Sequence, residues 1–202
     1  LCIGAAIIWL FFGILFGLIS AVTAGRWPDR LLTIGGIIGI SLPVFWIAAL
    51  MLYYLTYKVS WFPAGGYTKF ADSPTQWAYH LVLPWIALSI LFIGFYSRLL
   101  RSNILDTINE DYVRTARAKG LNERRVLTRH VLRNALIPIV TLFGLDFAAA
   151  FGGGAILTES VFGLQGVGQY VADSIGNLDL PPVMGTTLYG AFFIVLFNAI
   201  VD

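Results

Sequence analysis

Charge is what this chain has least of. Only 12% of its 202 residues are Asp, Glu, Lys or Arg, against about a quarter in ordinary soluble domains. Cysteine occurs once, at Cys2, and histidine twice, at His80 and His130. A single cysteine excludes an internal disulfide framework and a thiolate metal cluster. The two histidines have no His or Cys partner at ligand spacing, so no metal site is expected. The sequence has no G-x-x-x-x-G-K-[ST] phosphate loop, no H-E-x-x-H and no G-x-S-x-G. Ser41 and Ser89 have no histidine near them in apolar sequence, which leaves an intramembrane hydrolase without a nucleophile–base pair.

Apolar residues take the place of charge. They make up 58% of the chain, with a mean hydropathy of +0.80. A helix needs about 20 mostly apolar residues to cross a hydrocarbon core of roughly 30 Å. Five runs meet that length: 1–24, 31–57, 77–97, 134–158 and 180–201, and Asp146 is the one formal charge inside them. None shows the polar face that a helix on a soluble core carries. The fold class is therefore all-α, a polytopic membrane protein with one transmembrane domain over 1–202. The first run is too long for a signal peptide, lacks a basic leader and feeds another span. The sequence starts without Met inside an apolar run and stops without a polar tail. A longer chain with six spans is the expectation.

Thirteen Lys and Arg residues are present, and nine of them fall between Arg98 and Arg133, beside four acids. Basic loops stay on the cytoplasmic side, so the 98–133 loop is expected inside. Alternation puts loops 58–76 and 159–179 outside and the 26–30 turn inside. The outer loops carry only Lys58 and Lys69 as bases. Trp61, Trp77 and Tyr79 suit the outer interface, where amphipathic rings collect.

The basic loop reads as two short helices parted by Gly120. Asn109 is a candidate N-cap, with Glu110 and Asp111 in the first turn, where the helix dipole favours acids. Four-residue spacing groups Ile108, Tyr112 and Ala116 on one face. Gly120 is free to take the left-handed conformation of a C-terminal cap. Asn122 then caps a second helix running through Arg124, Arg125, Arg129 and Arg133. A lipid-seeking helix would carry bulky apolar residues. Thr115, Ala116 and Ala118 are small, and small residues let another protein's backbone come close.

Arg114-Thr115-Ala116-Arg117-Ala118-Lys119-Gly120, followed by Leu132-Arg133-Asn134-Ala135-Leu136, resembles the EAA loop of ABC importer permeases. Ala116 and Gly120 fit that pattern. Arg114 and Thr115 stand where Glu and the first Ala would be, and Arg133 replaces a Pro. These departures resemble the dipeptide/oligopeptide branch. Ile40-Ser41-Leu42-Pro43-Val44-Phe45-Trp46, Trp61-Phe62-Pro63-Ala64-Gly65-Gly66-Tyr67 and Thr158-Glu159-Ser160-Val161-Phe162-Gly163-Leu164-Gln165-Gly166-Val167-Gly168 are similar to the same branch. Together they cover nearly the whole chain in order.

The resemblance implies a subunit of a prokaryotic plasma (inner) membrane importer. Its partners would be a second permease, a paralogue in a heterodimer, two cytoplasmic ATPase subunits and an extracytoplasmic peptide-binding protein. ATP and Mg would sit on the ATPases, with no cofactor on this chain and no nucleic-acid partner. It also implies that Glu110, Asp111, Tyr112, Arg114, Thr115, Ala116, Ala118 and Gly120 couple to the ATPases.

Candidate pathway residues are Ser41, Pro43, Asp146 and Glu159. Asp146 lies eight residues beyond Pro138, about 12 Å along a helix. An intramembrane charge of this kind lines a wet cavity or hydrogen-bonds between helices. A cavity-lining Asp146 would meet a peptide's amino terminus. Glu159 is expected near the outer end of the same span, as a gate, a contact for the binding protein or a solvated helix end. Pro43 reads as a mid-span kink, hinged or static. Gly13 with Gly17, and Gly35 with Gly39, read as helix-packing pairs. The run Gly152–Gly154 reads as close packing or a helix break. The alternative function is a proton-coupled carrier using Asp146, which would need no ATPase-docking loop.

Overall fold

The computed structural model describes residues 1–201, with side chains as far as Ile200. Every regular element among the described residues is a helix. In chain order they are α1 (Cys2–Val22), α2 (Trp27–Ser41), α3 (Val44–Met51), α4 (Pro74–Thr107), α5 (Asp111–Ala118), α6 (Glu123–Arg125), α7 (Leu132–Ala135), α8 (Ile137–Ala149), α9 (Ile156–Phe162), α10 (Val167–Gly176) and α11 (Leu180–Val201). π-Helical turns at Leu52–Lys58, Val126–Val131 and Ala150–Gly154 extend α3, join α6 to α7 and extend α8.

Among the described residues, four helices are long and apolar enough to cross a membrane: Cys2–Val22, Pro74–Thr107, Ile137–Gly154 and Leu180–Ile200. The pair Trp27–Ser41 and Val44–Lys58 makes a fifth span when counted together. All five expected runs are present, and the second is broken where a kink was expected. Pro43 has no N–H to donate, and its ring disfavours helical geometry at Leu42. The Ser41 hydroxyl bonds back to the Ile37 carbonyl at 2.8 Å. Pro43 is extended, at φ −63° and ψ 134°, and its carbonyl accepts from Trp46 and Ile47 to start α3.

α4 runs ten residues past its expected end. Tyr96, Leu100 and Ile104 are buried at four-residue spacing, so the apolar stripe continues beneath Arg98 and Arg101. The second loop helix, expected to be regular, holds a π turn. Val126 and Val131 are both buried, five residues apart, and the i→i+5 geometry keeps them on one face.

The chain forms two compact units. The loop unit comprises Trp9–Ser41 and Phe92–Phe143. The cavity unit comprises Leu1–Ile8, Leu42–Leu91 and the chain from Gly144 onward.

In the loop unit α1 lies close against α4. Trp9 is fully buried and stacks on Phe92 at 4.4 Å. A Cβ on Gly13 would lie 2.8 Å from Tyr96 Cβ, and one on Gly17 would lie 2.9 Å from Leu100 Cβ. The expected Gly13–Gly17 packing pair is therefore real. On α2 the pairing shifts by one position, because Gly36 packs on Gly94 while Gly35 faces open space. A Cβ on Gly94 would sit 2.5 Å from the Gly36 carbonyl oxygen. Gly94→Ala is expected to cost about 1–3 kcal/mol through overpacking. Thermal denaturation of the detergent-solubilised protein, followed by tryptophan fluorescence, reads that loss.

In the cavity unit Ala48, Leu81, Leu83, Ala87, Phe162 and Leu164 form one core. The 58–76 segment docks on it. Gly65, at φ +117°, has no room for a side chain, since its Cβ would lie 2.6 Å from the Phe162 carbonyl oxygen. Gly66 donates to that same oxygen at 3.3 Å. Gly152 meets Gly190 backbone to backbone, flanked by Phe151 on Phe193 at 4.8 Å and Phe147 on Phe197 at 5.1 Å. Gly153 takes φ +117° in the same turn. The glycine run thus packs closely and also breaks the helix.

Candidate functional site

Three residues separate the end of α4 from the start of α5. Those three residues are all hydrogen-bonded: Ile108 to the Ile104 carbonyl, Asn109 to Asp106 and Glu110 to Thr107, at 2.9 to 3.3 Å. The Asn109 side chain donates to the Leu105 carbonyl at 3.0 Å. It therefore closes α4, and the N-cap position of α5 falls to Glu110, one residue later than expected. Satisfying an orphan carbonyl of the preceding helix outcompetes capping the next one.

The buried face of α5 is Val113 and Ala116, at three-residue spacing. The expected grouping of Ile108 with Tyr112 and Ala116 gives way, because Ile108 precedes the helix. Ala116 turns into its own chain. The Tyr112 hydroxyl accepts from Asn134 Nδ2 at 2.7 Å, which ties α5 to α7. Asp111, Arg114, Thr115 and Ala118 are exposed, as are Glu110 and Gly120. Arg114 lies 3.7 Å from Asp111, both largely in solvent, a geometry that contributes little stability.

Gly120 has φ +75°. Its N–H donates to the Arg117 carbonyl at 2.9 Å, and the Leu121 N–H donates to Ala116 at 3.4 Å. That pair of bonds is a Schellman cap. Asn122 accepts from the Arg124 N–H at 3.0 Å, as expected, and starts α6. Arg117 bridges the turn to Glu123 at 2.8 Å. The result is a small polar helix, closed at its C-terminal end and held from one side, with its other faces in solvent.

Beneath the loop lies an ion pair absent from the sequence reading. Asp29 is buried, and Arg101 grips it as a fork, Nε to Oδ1 at 2.6 Å and Nη2 to Oδ2 at 2.8 Å. The Gly25 N–H adds a bond at 2.8 Å, and the Ser20 and Thr33 hydroxyls donate as well. Bidentate guanidinium–carboxylate pairs are among the stronger polar contacts. The signal was available: an acid inside a short basic turn, and an arginine beside the apolar stripe of α4.

The pathway candidates separate. Ser41 is exposed at the end of α2, and Pro43 opens α3. Asp146 is half-buried on α8. Glu159 was expected near the outer end of that same span. It belongs instead to α9, a separate helix, because the Gly152–Gly154 turn ends the span first. Nor is it a solvated helix end, being 8% exposed. Its Oε2 accepts from the Gln169 N–H at 3.1 Å, in the first turn of α10. Gly166 holds the N-cap position with no side chain, so Glu159 caps α10 from across the loop. A Cβ on Gly166 would collide with the Glu159 carboxylate, and one on Gly168 would lie 2.9 Å from Oε2. α10 was expected to be loop; its glycine-rich start disguised a helix whose cap is seven residues upstream.

Residues 13–202 match the family described as binding-protein-dependent transport system inner membrane component. The chain belongs to that family. It is 38% identical over 190 residues to a putative peptide transport system permease protein of Brucella abortus (strain 2308), covering 94% of this chain and 60% of that protein. It is 37% identical over 200 residues to the oligopeptide transport system permease protein AppB of Bacillus subtilis (strain 168), covering 98% and 63%. The glutathione transport system permease protein GsiC of Escherichia coli O1:K1 / APEC is 37% identical over 198 residues, covering 98% and 62%. The chain thus spans about three fifths of the length of these curated relatives. As an inner membrane component of this family, with four unbroken apolar spans and one bent pair among the described residues, it is a multi-pass protein of the bacterial inner membrane.

Proposed function

We propose that this chain is the membrane-spanning part of an ATP-driven importer for di- and oligopeptides, docking separate ATPase subunits through α5. The observation that carries this reading is the shape of the basic loop. A short helix with Val113 and Ala116 turned inward and its polar faces free is built to be gripped by a cytoplasmic protein. Glu110, Asp111, Arg114, Thr115 and Ala118 form the gripped surface, and Tyr112 and Ala116 anchor it to the permease. Gly120 makes the turn that lets the loop project. Relatives named for peptide, oligopeptide and glutathione transport support the substrate class.

The assembly follows from the same reading. A second permease, a paralogue, completes the membrane part. Two ATPases hold ATP and Mg and hydrolyse the nucleotide, and an extracytoplasmic binding protein delivers the peptide. Ser41, Pro43 and Asp146 belong to the path or its gates.

Crosslinking tests the docking surface. With Cys2 changed to Ser, a single Cys at Thr115 or Ala118 is expected to crosslink to an ATPase subunit co-expressed with the full-length permease. ATP is expected to shift the yield. Aqueous labelling at both positions, with no ATPase copurifying, would remove the importer reading.

A further inference from the structure

Arg98 is the first Asp, Glu, Lys or Arg on α4, where the apolar stretch of that helix gives way to the basic loop. It is exposed, and its guanidinium makes no ion pair or hydrogen bond among the described residues. Arg101, three residues on, instead closes on Asp29. Arg98 borders an open groove of about 360 Å³ whose other walls are Ile40 of α2 and Phe95 and Leu99 of α4. All four residues belong to the loop unit. α2 and α4 press together at Gly36 and Gly94, and α2 ends at Ser41, just past Ile40. Charge at this end of the unit is of one sign. Arg26 and Arg30 are exposed and likewise have no acid partner among the described residues. Arg98 shares a crevice with Leu32 and Thr33, within one turn of Arg30. Asp29 is the one acid in residues 1–71, and both its oxygens are held by Arg101.

We propose that this groove binds an anionic phospholipid of the inner leaflet. Its phosphate lies at Arg98, and one acyl chain runs along Ile40, Phe95 and Leu99. Charge complementarity selects this occupant. A guanidinium with no acid of its own suits phosphate oxygens, which its planar fork can meet in pairs. Basic pockets between membrane helices on the cytoplasmic side take anionic headgroups in this way. The excess of bases after Arg98 puts this end of α4 in the cytoplasmic leaflet. A zwitterionic lipid would bring an ammonium group to a face that carries Arg26 and Arg30 and no free carboxylate. A soluble phosphate would gain nothing from the three apolar walls.

The test uses the full-length permease in phosphatidylcholine nanodiscs that carry a trace of photoreactive lipid. The probe is phosphatidylglycerol, or phosphatidylcholine for comparison, with a diazirine in one acyl chain. Mass spectrometry reads the adducts on the peptides holding Ile40 and Phe95–Leu99. Phosphatidylglycerol is expected to label them at least about fivefold more than phosphatidylcholine, the scale of one arginine beside an anionic headgroup. Arg98→Gln, a change at an exposed position, is expected to bring the two probes within about twofold of each other. Arg98→Lys is expected to keep part of the preference. Arg124→Gln, on the second loop helix, is expected to leave it unchanged. Leu99→Trp, which fills the groove, is expected to lower labelling by both probes while Arg98 stays in place. Equal labelling by the two probes would overturn the proposal, as would a preference that survives Arg98→Gln or labelling that survives Leu99→Trp. Absence of adducts in the wild type would overturn it too, and would mean that another protein segment covers the groove. The groove makes no use of α5, so this proposal and the importer reading can each fail alone.

Discussion

Arg101→Ala is expected to destabilise the protein by about 3 kcal/mol, the lower end for breaking a buried ion pair. Asp29 would then keep the Gly25 N–H and the Ser20 and Thr33 hydroxyls, but no cation, at a site only 4% exposed. The lower end applies because the Arg101 side chain is 30% exposed and part of its attraction is screened by water. Asp29→Ala should cost less, since a partly exposed guanidinium can recover hydration and a buried carboxylate cannot. The double variant should lie above Arg101→Ala in stability, because it leaves no orphaned charge. Thermal denaturation of the four proteins in one detergent reads the cycle. If Arg101→Ala melts with the wild type, or the double variant falls below it, the pair is not what holds the α1–α2 turn to α4.

On the proposed importer reading, Gly120→Val is expected to cut peptide uptake by about tenfold or more, the equivalent of about 1.4 kcal/mol, while the partner ATPases of that reading keep hydrolysing ATP. Steric crowding is not the reason, since a Cβ at Gly120 meets nothing within 4 Å. The backbone is. At φ +75° an L-residue costs about 1–2 kcal/mol, and a β-branched one is worse placed still. Relief of that strain would undo the two bonds that close α5 and shift the surface proposed to meet the ATPase. Gly120→Asn supplies the control, because Asn accepts the left-handed conformation more readily. Uptake into proteoliposomes and ATP hydrolysis, measured on the same preparation, separate coupling from folding. Undiminished uptake by Gly120→Val at normal abundance would show that the turn carries no force.

Much of this was legible in the sequence because the deciding interactions are local or compositional. Five apolar runs, one basic loop, the Gly120 turn and the Asn122 cap depend on neighbours a few residues apart. The Asp29–Arg101 pair spans 72 residues, and nothing local in either segment announces the other. Asn109 had two helices within reach, and the spacing alone could not say which it would serve. Ala116 was small and central in α5, which fits a docking face and a buried face equally well. Val113 decides between them, and its burial depends on the rest of the loop unit. α10 was hidden for a related reason: Gly166 and Gly168 read as loop until Glu159, from another helix, supplies the missing cap. The break at Pro43 was half legible. Proline marked the position, but whether a span bends or stops depends on what each half packs against.

The three residues between α4 and α5 set how motion passes through the loop unit. A flexible tether would absorb the first few ångströms of any pull as slack. Here each linker amide is already bonded back into the last turn of α4, and the Asn109 side chain takes up another carbonyl. Stretching the joint means breaking hydrogen bonds rather than straightening a coil. The joint therefore behaves as a stiff elbow, and the base of α4 turns when α5 turns.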